Sequence, residues 1–175
     1  MRCCITLMSD GKKVLLVFKR EELLYDIKNY AYIENHIMPP ETEHARHMVA
    51  DVGECGNVDR ITRVLSLAVC QCREALYPYA KRAVDTNMLD DTLNEPCGYC
   101  IELSLPPEVS QTTIELLENL IHEYLVCRGV ADWLSITHTE KSEVWMQKAM
   151  EAESELRSAL STRMQRVRIR QHWLC

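Results

Sequence analysis

The chain has one phenylalanine, five glycines and six prolines in 175 residues. Five glycines leave few places where a backbone could wrap a cofactor. No Gly-rich phosphate loop, nucleophile elbow or HExxH pair occurs. The lone phenylalanine, beside abundant leucine, glutamate and arginine, favours helix over an all-β sandwich. Apolar runs of about 18 residues are missing too, so no transmembrane helix is expected. The opening "MRCCITLMSDGKK" is too short and too soon charged for a secretory signal. The expected location is therefore cytoplasmic, with no membrane partner.

Cysteine, by contrast, is plentiful: nine, at positions 3, 4, 55, 70, 72, 97, 100, 127 and 175. An odd count without a secretory signal argues against a disulfide framework. Cys72 and Cys127 fall on apolar helical stripes and read as small core residues. Apolar residues make up 47% and charged residues 26%, which fits an ordinary globular domain with a core of its own.

Acid is missing from one region only. Leu156 to Cys175 holds five arginines (Arg157, Arg163, Arg166, Arg168 and Arg170) and no carboxylate side chain. Taking those five from the 20 bases leaves 15 against 26 acids, a net of −11 over residues 1–155. An acidic body with a basic tail is the strongest compositional signal.

Periodicity predicts a mainly α fold: a bundle of about four to five helices with a small β element. "CCITLMSDGKKVLLVF" reads as an N-terminal hairpin turning at Asp10-Gly11. A start at Met8 would make its first strand an artefact. Helices are expected over Glu21–Asn35, then Glu41–Val52 with Ala45, Met48, Val49 and Val52 inward. The next runs from Asn57 to about Arg82, with a seam of Ile61, Leu65, Ala68, Cys72, Ala75 and Tyr79. Pro78 should kink or stop it. Asp85 to Glu95 is an acidic loop. "GYCIELSLP" alternates as a strand near 99–105, with Tyr99, Ile101, Leu103 and Leu105 on one face, and should pair with Val14–Phe18. Ser110–Ile136 is the most apolar helix and is placed at the centre. Thr137-x-x-Glu140 reads as a capping box for a last helix reaching about Met164, with Trp145, Ala149, Ala152, Leu156 and Leu160 inward. Residues 1–164 form one domain. Residues 165–175 alternate Arg166, Val167, Arg168, Ile169, Arg170 and read as a basic extended arm; Arg163 just before it and Arg166, Arg168, Arg170 and Trp173 within it are the expected partner-binding residues.

Candidate chemistry is sparse. Cys97-x-x-Cys100 with His44-x-x-His47 could supply four zinc ligands, but the spacing is not a zinc-finger spacing. A redox role needs the first cysteine at a helix N-terminus, whereas these two open a strand. Glu41-x-x-His44 has a di-iron spacing but lacks the second such motif. Arg128 and Asp132, four apart, read as an ion pair. Trp133 and Trp145 read as core residues packing near each other. No metal, cofactor or catalytic residue is expected.

One further pattern is "IELLENLIHEYLVCRGVADWLSITHTEKSEVWMQKAMEAESELRSAL". A helix ends in Arg128, Ala131 and Trp133; after a short turn a second helix carries Trp145, Ala149, Glu151 and Leu156. This layout resembles the closing helix pair of head–tail adaptor and connector proteins of tailed bacteriophages, over roughly Asn57–Leu160. The N-terminal hairpin and the cysteine count depart from it. The resemblance implies a non-enzymatic ring subunit working through self-association and contacts with other assembly components, located in a virion. The alternatives are a nucleic-acid-binding regulator using the Arg-rich tail, against which stands the acidic body, and a small zinc protein.

Overall fold

The computed structural model describes residues 4–8, 11–37, 48–49, 51–82 and 95–161. The elements run β1 (Cys4–Met8), β2 (Gly11–Lys19), α1 (Arg20–Ile37), a 3-10 turn (Asp51–Gly53), α2 (Cys55–Ala75), β3 (Gly98–Leu105), α3 (Gln111–Thr137) and α4 (Thr139–Ser161). The fold is mainly α, with one three-stranded antiparallel sheet in the order β1-β2-β3.

Strand alternation decides which side of that sheet meets the helices. Val14, Leu16 and Phe18 lie opposite Leu103, Ile101 and Tyr99, and all six are buried. Their neighbours Lys13, Lys19, Cys100, Glu102 and Ser104 are exposed on the other face. The expected pairing of 99–105 with 14–18 therefore holds. The hairpin register differs from expectation: Gly11 is already inside β2, opposite Met8. Alternation fixes the face each residue takes, but it does not distinguish registers two residues apart.

β3 has its second edge covered. Tyr79, beyond α2, accepts from Ser104 N at 2.9 Å, and Arg73 Nη2 donates to the Cys100 carbonyl at 2.7 Å. This is possible because α2 stops at Ala75 instead of continuing to Arg82. Pro78 offers no N–H and disfavours helical geometry in the residue before it. Leu76 closes the helix by donating to the Cys72 carbonyl, and the chain then turns back along β3.

α3 is the central helix. Ser110 caps it, its hydroxyl accepting from Thr113 N at 3.3 Å. Ile114, Leu117, Ile121, Leu125, Val130 and Leu134 are buried along it, and Ile61, Leu65, Ala68 and Cys72 of α2 are buried in the same core. α1 packs against α3 where Gly129 leaves room: a Cβ there would sit 2.5 Å from Ile27 Cδ1. Gly129→Val should accordingly cost about 1–3 kcal/mol by overpacking, read as a lower urea midpoint at unchanged slope.

The turn into α4 corrects the capping-box expectation. Thr137 is still helical, and its hydroxyl donates to the Trp133 carbonyl at 3.3 Å. His138 is the single residue between the helices, and Lys141 N donates to its Nδ1 at 3.4 Å. An N-cap needs non-helical backbone, and only His138 has it here (φ −155, ψ 86). Met48, expected inward, is exposed, whereas Val49 and Val52 are buried. The last residues expected in α4, 162–164, lie outside the described residues.

Candidate functional site

Most residues singled out from the sequence as sites lie outside the described residues: Glu41, His44 and His47, and Arg163, Arg166, Arg168, Arg170 and Trp173 of the arm. Cys97 and Cys100 are described, and both are exposed. The Cys97 carbonyl accepts from Arg20 N at 3.2 Å where β2 passes into α1, and Cys100 stands opposite Val17 on the outer sheet face. Among the described residues no three His, Cys, Asp or Glu side chains are grouped to hold a metal.

The Arg20 corner explains why the Cys97 loop is held. Arg20 Nη1 donates to Thr62 Oγ1 (3.1 Å) and Nη2 pairs with Glu95 (3.3 Å), while Tyr99 OH donates to the Thr62 carbonyl (3.2 Å). One side chain thus ties α1 to α2 and to the approach of β3. The corner is structural: each polar atom named is satisfied by another.

Two clefts hold titratable groups. The first, of about 280 Å³, opens between α2, α3 and α4 and is lined by Gln71, Glu74, Tyr124, Arg128, Met150 and Glu153, among others. Tyr124 OH donates to Gln71 Oε1 at 3.1 Å, and Glu153 pairs with Arg157 at 2.6 Å. Arg128 does not pair with Asp132, contrary to the sequence expectation. Its Nη1 points to Met146 Sδ at 2.8 Å, while Asp132 pairs with Arg60 of α2 at 2.9 Å. The i,i+4 spacing permits a pair, but Arg128 meets Met146 of α4 and Asp132 meets Arg60 of α2, so tertiary neighbours replace the local one. Arg128 Nε is buried and has no hydrogen-bond partner.

The second cleft, of about 380 Å³, is lined by Glu21, Glu22, Tyr25, Asp26 and His122. His122 Nε2 and Asp26 Oδ2 are 2.8 Å apart, joining α3 to α1. Nothing in the sequence links residues 96 apart. A general base must offer a ring nitrogen to a substrate. Asp26 engages Nε2, and Nδ1 is buried without a partner. The pair therefore presents neither nitrogen to the cleft.

No protein-family model, no curated protein and no solved structure matches this chain.

Trp133 and Trp145 are core residues, as expected, but each has its own partner. Trp133 Nε1 donates to the Val49 carbonyl at 2.9 Å; Trp145 Nε1 donates to Glu34 at 3.1 Å and its ring packs on Tyr30 at 4.8 Å between centroids. The indole N–H groups decide this, since a buried donor needs an acceptor.

Cys72 and Cys127 are core thiols. Burial, with nearby Glu153 for Cys72 and Glu123 for Cys127, pushes each pKa from 9.0 up to about 12. Above pH 9 the unfolded chain sheds thiol protons that the folded chain keeps. Stability should fall as pH rises from 9 towards 12, by up to about 1.4 kcal/mol per pH unit for each thiol. Urea midpoints at neutral and alkaline pH check this. The fall should be shallower in the double variant Cys72→Ala, Cys127→Ala.

Proposed function

We propose that this protein is a non-enzymatic assembly subunit that works through protein–protein contacts, in the manner of the phage head–tail adaptors that its closing helix pair resembles. The observation that carries this reading is the asymmetry of the sheet. The outer edge of β3 is occupied by Tyr79 and Arg73, but β1 has β2 on one side and, among the described residues, no strand on the other. An open strand edge is a template for a strand from another chain.

The sequence supplies a segment suited to that template. The sequence of residues 165–175 alternates arginine with valine and isoleucine, and an extended conformation would place Arg166, Arg168 and Arg170 on one face. The body is acidic, so the arm of one copy meets an opposite charge on the next. A head-to-tail contact of this kind closes into a ring when the rotation allows. Exposed Tyr25, Tyr32 and Ile37 on α1 add apolar area to the surface available for contact.

Native mass at low micromolar concentration tests the proposal, with metal content read in the same measurement. The expected result is a ring or a ladder of oligomers without zinc. A monomer carrying one zinc per chain would replace the assembly reading with the zinc one.

A further inference from the structure

Arg128 sits on a deeply buried stretch of α3. Its neighbours Cys127, Gly129 and Val130 are buried, and its stem lies against α4. Yet the fold gives its guanidinium little. Among the described residues its hydrogen-bond acceptor is one thioether, Met146 Sδ, and Nε has no partner. A thioether is a weak acceptor, and a charged donor left without a good one costs stability. Two nearby carboxylates are committed elsewhere, Asp132 to Arg60 and Glu153 to Arg157, and Glu74, which also lines the cleft, makes no ion pair with Arg128 among the described residues. The guanidinium faces the cleft between α2, α3 and α4, which is open to solvent-borne groups and holds about 280 Å³.

We propose that this cleft binds a carboxylate group on Arg128. The fork of guanidinium donors matches a carboxylate. Glu153 in the cleft is neutralised by Arg157, but Glu74 remains, and its charge disfavours a doubly charged phosphate more than a singly charged carboxylate. Ala75, Ala149 and Met150 supply apolar wall for a short aliphatic body. The carboxylate comes either from a small free acid or from an acidic side chain of another protein. The inference does not rest on the assembly reading, because among the described residues the cleft is lined by α2, α3 and α4 and not by the open sheet edge.

Three probes separate the cases: butyrate, inorganic phosphate, and a short acetylated peptide amide with one glutamate. Binding is read from the Arg128 side-chain N–H resonance and from the melting temperature. Butyrate should saturate the wild type at millimolar concentration and phosphate should bind more weakly. Arg128→Met should weaken butyrate by roughly ten- to a hundredfold, the loss of one charge-assisted contact. It should also melt at or above the wild type without ligand, because a thioether chain suits the site better than an unsatisfied charge. Saturation by the peptide as readily as by butyrate assigns the carboxylate to a protein partner; binding of butyrate alone assigns it to a small acid. Three results overturn the proposal: neither carboxylate moves the Arg128 resonance, both bind Arg128→Met as well as wild type, or that variant melts far below wild type with no ligand present, which would make Arg128 a structural residue.

Discussion

Ile121→Ala should lower the free energy of unfolding by about 2–5 kcal/mol. Ile121 is fully buried at the middle of α3. The helix has neighbours on several sides: α2 contributes Ile61 and Leu65 to the same core, α1 approaches it with Ile27 at Gly129, and α4 packs against it. Removing the branched side chain loses its transfer energy. It also leaves a cavity, because helices held on several sides cannot all move in to fill it. For a chain of this size each kcal/mol lowers the melting temperature by about 2–4 °C. Urea unfolding of the variant, with the slope unchanged, would read the effect directly. A wild-type midpoint would mean that the core is centred elsewhere.

Some of this architecture was legible in the residues. "GYCIELSL" alternates without a break, so its buried face and its pairing with Val14–Phe18 could be read before any coordinates. The apolar stripe of α3 and the Ile61–Cys72 seam of α2 were legible for the same reason: a side chain repeated at the helical period has one face to bury. Partners across elements were not legible. The spacing of Arg128 and Asp132 suited a local ion pair, and tertiary packing gave each a different neighbour. Asp26 and His122 carry no shared signal, being on different helices. Thr137 and His138 show the limit at a turn. Either could cap α4, and the choice depends on which residue leaves helical geometry, which a one-residue connection decides. The candidate sites divide likewise: the sequence reads Arg128 as half of an ion pair with Asp132, and its thioether partner becomes visible only with α4 in place.

Deleting residues 165–175 should leave the fold nearly intact and abolish assembly. The core of the described residues ends at Leu160, and α4 ends at Ser161. Trp145, Ala149, Ala152 and Leu156 belong to the core of the described residues, so the melting temperature should change little. The arm itself has a composition suited to contact and not to independence. Arg166, Arg168 and Arg170 alternate with Val167 and Ile169, which gain nothing in water. An extended segment has no internal partners for its N–H and C=O groups, and a sheet edge on a neighbouring copy supplies them. The arginines then meet the acidic body, a contact that weakens with salt. Duplex DNA would weaken with salt as well, so salt alone does not separate the two readings. Truncation does. Loss of oligomers on deletion, with the monomer folded and melting as before, is the outcome the assembly reading requires. A truncated protein that assembles normally, beside an intact one that binds duplex DNA at physiological salt, would transfer the arm to nucleic-acid binding.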